Sequence, residues 1–245
     1  MSPRRPARAR RVVALVALTV AGCGGEREEA AREAAEDPDA LRPRRGAQVD
    51  CAGPPDDPDE VDTLAEVAAS GDLAGAILGL EALTGAHPRS SSARVRLGEL
   101  LLRTEPPRAE EADGWFERAL ALHARGCRLG HRDEWAAHEG RALSRMMRGD
   151  YAGAIAPLRA SLARWPSVPA TRYNLACALC QTGDLDGCAR ELEATLRRSP
   201  GPPSFLAGEA RPPAHYRALA RRDPDLAPLR ADAARFAALV GGEPP

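Results

Sequence analysis

A spacing of 34 residues between equivalent positions runs through the second half of this 245-residue chain. Gly149 and Gly183 are 34 positions apart, and each is followed by an aspartate. The same offset relates five further pairs, which are Asp150 and Asp184, Ala154 and Cys188, Leu158 and Leu192, Leu162 and Leu196, and Pro166 and Pro200. A fixed period of this length indicates an array of stacked structural units, each of which packs on its neighbours.

Each unit has the pattern of two amphipathic helices joined by a Gly-Asp turn and ended by proline. Glycine supplies the backbone freedom that a helix C-terminus needs, and aspartate can cap the helix that follows. The small residue five positions after the glycine lets the two helices approach closely, and proline ends the second helix. An earlier copy with the same internal spacing contains Gly71-Asp72, Ala76, Leu80 and Pro88. The sequence therefore predicts an all-α fold.

The last two copies carry a recognisable motif, Tyr173-Asn174-Leu175-Ala176 followed by Gly183-Asp184 and Pro200. It resembles the tetratricopeptide repeat (TPR), which implies a right-handed solenoid of helix pairs. On this register we expect repeats at about residues 57–90, 91–124, 135–168 and 169–202, then a C-terminal capping segment and tail at 203–245. The second copy is irregular, because its turn is longer and lacks glycine. Arg141 stands in the third copy where leucine is usual. The match at six positions argues against the alternative, a generic helical bundle.

The N-terminus has the pattern of a bacterial lipoprotein signal peptide over residues 1–22. Arginines precede an apolar run that ends at Ala21, and the run of about ten residues is too short to span a bilayer. Val20-Ala21-Gly22-Cys23 resembles the lipobox, which implies acyl chains on Cys23. The alternative is an ordinary secretory signal that happens to contain Cys23. Residues 23–56 hold few apolar side chains, so we expect a disordered, flexible tether there. Because Gly24 follows the cysteine, we expect the outer membrane facing the periplasm over the inner membrane or the cell surface.

Charge and motif content exclude several classes of function. Without the five arginines before Cys23, the chain has 29 arginines against 35 acidic residues, and this balance argues against nucleic-acid binding. The chain contains no lysine, so neither a Schiff-base lysine nor a phosphate-loop lysine is present. No hydrolase or dinucleotide motif occurs. We therefore expect no enzyme activity, no cofactor and no metal.

Cysteine and histidine spacing leaves two alternatives open. Cys180 and Cys188 bracket the Gly183-Asp184 turn, so they either form a disulfide across the hairpin or Cys188 is only a small buried residue. Cys177 and Cys180 form a CxxC in mid-helix, where the helix dipole does not favour redox chemistry, and no second CxxC completes a zinc site. His123, Cys127 and His131, with His138 nearby, suggest a second hypothesis, a metal- or thiol-dependent envelope enzyme that uses these residues or Cys177.

The resemblance implies that the first helix of each repeat lines a concave groove that binds proteins. By register, the groove residues are Val95, Glu99, Leu102 and Arg103 in the second copy, Glu139, Leu143, Met146 and Met147 in the third, and Tyr173, Asn174, Cys177, Cys180 and Gln181 in the fourth. Methionines and an aromatic ring suit adaptable recognition of an extended or helical peptide. The alternative for Met146 and Met147 is packing between helices. Asn174 matches an asparagine that in some repeats holds a peptide carboxylate, but the accompanying lysines are absent.

These observations predict a membrane-anchored scaffold for protein-protein interaction in the cell envelope, of the kind that serves secretion, pilus or polysaccharide-export assemblies. Its expected partners are other envelope proteins in the groove and the membrane through Cys23. A third hypothesis is a lipoprotein that binds a small molecule or glycan. The low aromatic content, 4%, counts against a sugar site.

Overall fold

The computed structural model describes residue 51 and residues 58–197, 203–209 and 211–241. All regular structure in these ranges is helical, with eleven α-helices, two 3-10 turns and no strand. The prediction of an all-α helical-repeat fold is confirmed. The predicted signal peptide, Cys23 and most of the predicted tether lie outside the described residues.

Eight helices form four hairpins that follow one another along the array. They are α1 (Pro58–Ala69) with α2 (Leu73–Ala86), α3 (Ser91–Leu101) with α4 (Ala109–Ala124), α5 (His131–Arg148) with α6 (Tyr151–Arg164), and α7 (Pro169–Gln181) with α8 (Leu185–Leu196). A 3-10 turn (Ser204–Glu209) leads to α9 (Pro213–Arg222), a second 3-10 turn (Pro224–Leu226), α10 (Ala227–Arg230) and α11 (Ala233–Val240). Each helix packs on the next helix of the chain from α1 to α8.

Three of the four hairpins turn at a Gly-Asp pair. The three glycines have positive φ values, +110° at Gly71, +86° at Gly149 and +88° at Gly183, which a residue with a side chain rarely adopts. The following aspartates accept hydrogen bonds from backbone N–H groups of the next helix, Asp72 from Gly75 (2.8 Å), Asp150 from Gly153 (2.9 Å) and Asp184 from Gly187 (2.8 Å). One dipeptide therefore ends one helix and caps the next.

The second hairpin turns without this pair, and a threonine takes over. The Thr104 hydroxyl donates to the Leu101 and Pro106 carbonyls (both 2.8 Å) and accepts from the Arg108 backbone N–H at 3.1 Å. From α4 the buried ring of Phe116 then fills the space beside two glycines. A Cβ at Gly98 of α3 would lie 2.7 Å from this ring, and one at Gly140 of α5 would lie 2.2 Å from it. Both glycines are therefore required for three helices to close around one aromatic side chain.

Ion pairs hold α4 against α5 around Arg141, which stands where tetratricopeptide repeats usually have leucine. Arg141 Nε donates to Asp113 Oδ1 (3.1 Å), and its Nη2 donates to Glu117 Oε1 (2.9 Å). Arg145 and Arg148 bind the other oxygen of the Asp113 carboxylate at 3.0 and 3.2 Å. The unusual arginine thus joins a network of ion pairs at this interface.

Buried apolar side chains form two clusters, one in the first half of the array and one in the second. The C-terminal segment contributes to both. Leu206 is buried in the first cluster, whereas Tyr216, Leu219, Leu226, Leu229 and Val240 are buried in the second. This segment covers the last hairpin, so its apolar face does not meet water.

Candidate functional site

In the second and third hairpins, the predicted groove residues divide into core and surface. Val95, Leu102 and Met146 are buried in the apolar clusters. Glu99, Arg103, Leu143 and Met147 are at least partly exposed, whereas Glu139 is buried. Glu99 pairs with Arg96 of its own helix (2.7 Å) and with Arg132 of α5 (2.9 Å). The accessible part of this face therefore combines two partly buried apolar side chains with a charged rim.

Glu139 is buried in a polar network that links α5 to α7. Its Oε2 accepts a hydrogen bond from the Thr171 hydroxyl (2.8 Å), and its Oε1 accepts one from Asn174 Nδ2 (3.2 Å). Trp135 Nε1 donates in turn to the Thr171 hydroxyl oxygen at 3.1 Å. Asn174, the residue that resembles a peptide-carboxylate ligand, thus holds a carboxylate of its own chain.

Burial governs the ionisation of this carboxyl group. Desolvation raises the pKa of Glu139 to about 7, although the hydrogen bonds from Thr171 and Asn174 act in the opposite direction. No cation pairs with it in the described part of the chain. Its protonation state therefore changes close to neutral pH.

The chain's own C-terminal segment occupies the groove side of the last hairpin. The Tyr173 hydroxyl donates to Asp223 Oδ2 (2.9 Å), and the Tyr173 ring lies 5.6 Å from that of Tyr216. Gln181 Nε2 donates to the backbone carbonyl of Asp225 at 2.8 Å. Tyr173 is buried as a result. A partner cannot contact this side chain while the segment is in place.

Further upstream, the same segment packs at the start of α5 and at the end of α6. The ring of Phe205 lies 5.7 Å from Trp165 and 6.0 Å from His131. The sequence predicted a cap over the last repeat, but it did not predict the contacts of Phe205 with Trp165 and His131. For the cover over Tyr173 and Gln181, the sequence signal was Asp223-Pro224-Asp225, two acids around a proline between two helical stretches.

The free thiol of Cys177 is buried beneath this segment, with Sγ 3.8 Å from Asp223 Oδ2. Burial, and next the negative charge of Asp223, raise the pKa of Cys177 well above its ordinary value. A reactive cysteine needs the opposite shift and access to solvent. This environment argues against the thiol-enzyme hypothesis at Cys177.

Two disulfides are present in the described residues. Cys180 and Cys188 are bonded across the last Gly-Asp turn, with their Cα atoms 5.1 Å apart. Cys51 and Cys127 are bonded over a sequence separation of 76. This disulfide connects Cys51, which precedes the first hairpin, to the loop between α4 and α5. The Cys51–Cys127 pair was not predicted, because the five cysteines that follow Cys23 are an odd number and leave the pairing open.

The proposed metal ligands have other partners and do not form a common site in the part of the chain that the structure describes. Cys127 is in a disulfide and His131 faces the Phe205 ring. His123 Nδ1 accepts from the Leu129 backbone N–H (3.1 Å), and its Nε2 lies 3.7 Å from Glu134 Oε2. Burial lowers the pKa of His138, which stands half-buried near this pair. No group of three or more ligating side chains suited to a metal ion occurs among the residues that the structure describes.

Comparison with known proteins finds a matching repeat family over part of the chain and a solved structure with a similar fold. A family model described as tetratricopeptide repeat matches residues 145–211. A solved structure described as "MamA RS-1 ArsTM double mutant" has a similar fold, with a TM-score of 0.50 and 14% sequence identity over 74% of this chain and 94% of that chain. No curated protein matches the sequence. Residues 145–211 are therefore similar to tetratricopeptide repeats, and the array as a whole has a TPR-like fold.

The burial of Glu139 predicts a specific pH dependence of stability. Its pKa is about 7 in the folded chain against 4.5 for an ordinary glutamate, so the unfolded chain loses this proton first as pH rises. The free energy of unfolding should fall between pH 4.5 and 7 by about 3 kcal/mol from this group, and remain reduced above that range. Glu139→Gln should remove this slope in urea unfolding at a series of pH values.

A matched control is Glu110→Gln, which changes an exposed carboxyl group on α4. This control should keep the slope of the original protein. Parallel pH profiles for the original chain and Glu139→Gln would show that Glu139 is not the titrating group.

Proposed function

We propose that this chain is a scaffold that binds proteins through the concave face of its second and third hairpins, while acyl chains on Cys23 hold it at a bacterial membrane. The outer membrane facing the periplasm is our preferred location. Assemblies for secretion, pilus formation or polysaccharide export are the setting in which such a scaffold would act.

The observation that carries the binding proposal is the division of the groove. The last hairpin is covered by the C-terminal segment through Asp223 and Asp225, whereas Leu143 and Arg103 retain solvent exposure. A partly buried apolar patch beside charged side chains suits a peptide that carries an apolar anchor and polar flanks. A partner is therefore expected on α3 and α5.

Two observations support the envelope location. The lipobox-like sequence that ends at Cys23 has the order and spacing for acylation, and two acyl chains anchor a protein stably. Disulfides persist in oxidising compartments such as the bacterial periplasm, and two are present here. In the ranges that the structure covers, no helix is both long and apolar enough to cross a bilayer. The acyl chains of Cys23 would provide the attachment.

The anchor proposal predicts that Cys23→Ser abolishes labelling of the protein with a radioactive or clickable fatty acid. The physical reason is that the thiol at position 23 is the acceptor of the acyl group. Cys177→Ser is the matched control, because it removes a buried cysteine of the folded body and should leave labelling intact. Undiminished lipid labelling of Cys23→Ser would refute the anchor.

The binding proposal predicts that a photo-crosslinking residue at position 103 captures a discrete partner in living cells. Arg103 is exposed and belongs to the predicted groove, and Arg159 on α6 is also exposed but lies outside the predicted groove, which makes position 159 the control. Leu143→Glu in the same chain should weaken the crosslink by about tenfold, since a charge replaces an apolar anchor. Equal capture from positions 103 and 159, or capture that ignores Leu143→Glu, would contradict the groove as the binding surface.

A further inference from the structure

Helix α2 is almost entirely apolar, yet among the residues that the structure describes one of its sides remains exposed. It contains a single charged residue, Glu81, in fourteen positions. Ala76, Ile77, Leu80 and Leu83 face the core. The opposite side presents a stripe of Ala74, Leu78, Ala82 and Gly85, all at least partly exposed and spaced as one face of a helix. Leu78 is 42% exposed and is the only large apolar side chain classed as exposed among the described residues. A helix without a polar face is normally covered on all sides.

The other end of the array also presents a small apolar face. In α11, Ala233, Ala234, Ala237 and Ala238 are exposed on one side, whereas Phe236, Leu239 and Val240 pack inward. The one charged residue of this helix, Arg235, is bound to Asp186 at 2.7 Å. Helical-repeat arrays normally need a polar outer face at each end to stay soluble as monomers. Here both ends carry exposed apolar surface.

The two ends have opposite charge. Residues 58–90 contain six acidic residues and one arginine, and α1 alone contributes four acids and no base. Residues 211–241 contain six arginines and three aspartates. Three of these arginines are on α9, which has no acidic residue and packs beside α11. Each apolar face therefore lies next to a helix whose charged residues all have the same sign. That helix is the acidic α1 at the first hairpin and the basic α9 at the C-terminal segment.

We propose that the chain binds a second copy of itself head to tail, with α11 of one copy on α2 of the next. The alanines of α11 and the Ala74, Ala82 and Gly85 positions of α2 permit close helix contact around Leu78. The same arrangement brings the acidic α1 of one copy toward the arginines of α9 of the other. Pairing of α2 with α2 would instead bring two strongly acidic ends together, which costs free energy. The contact is heterologous, so it can repeat and form a linear chain of copies.

A contact through one helix from each copy is expected to be smaller than the roughly 1,200 Å² of a standard stable interface. The association should therefore be weak in dilute solution and should increase with local concentration. This inference does not depend on acylation of Cys23 or on a partner in the groove, and its test can fail while both of those proposals stand.

Site-specific crosslinking on the full-length chain tests the pairing. Two differently tagged copies are expressed together, one with Leu78→Cys and the other with Ala238→Cys, and treated with a short bismaleimide. A mixed-tag product is expected. The control replaces Ala238→Cys with Ala160→Cys, an exposed alanine on α6, and should give at least tenfold less product. Product only between two Leu78→Cys copies, or a mixed yield no higher than the Ala160→Cys control, would overturn the proposal.

Charge reversal provides a second readout at the same pair of cysteines. Asp62→Arg with Glu66→Arg in the Leu78→Cys copy should lower the mixed product about fivefold, because it removes attraction at the acidic end. Adding Arg222→Glu to the Ala238→Cys copy should restore most of it, since opposite charges then face each other again. Unchanged helix content by circular dichroism shows that the variants fold. A yield that does not respond to either change would contradict the head-to-tail arrangement.

Discussion

The architecture depends on a single backbone constraint, the Gly-Asp turn that joins the two helices of a hairpin. A glycine with positive φ stops the first helix, and the aspartate after it caps the second. This geometry sets which residues of the two helices face each other, and at the last turn it brings the Cα atoms of Cys180 and Cys188 to 5.1 Å. Where the turn lacks the pair, Thr104 supplies the hydrogen bonds and Phe116 fills the gap beside Gly98 and Gly140.

Local sequence signals could predict the helical array because period, turn chemistry and capping all act within one repeat. Contacts between distant parts of the chain carry no such signal. The Cys51–Cys127 disulfide spans 76 positions, and the insertion of Asp223 beside Tyr173 joins residues 50 positions apart. Glu139 is buried because α5 packs near α7, where Thr171 and Asn174 bind its carboxylate. The repeat period predicts only that Glu139 is a groove residue. The sequence could therefore predict which residues belong to the candidate groove. It could not predict that the C-terminal segment covers those on α7.

That division gives the molecule three distinct surfaces. The predicted groove residues Leu143 and Arg103 are at least partly exposed, those on α7 are covered by the chain's own segment, and each end carries an apolar face beside a charged helix, acidic α1 at one end and basic α9 at the other. If both proposals hold, the scaffold would bind a partner in the groove and a neighbour at each end through different residues.

The thiol of Cys177 reports directly whether the C-terminal segment covers the last hairpin. The measurement is the rate at which a maleimide labels Cys177 in the folded full-length chain, compared with the chain that carries Asp223→Ala. Because the thiol is buried beneath Asp223, labelling of the original chain should be far slower than that of an exposed cysteine and should accelerate in the variant. Labelling of the original chain at the rate of an exposed thiol would show that the groove of the last hairpin is open, and would contradict the account.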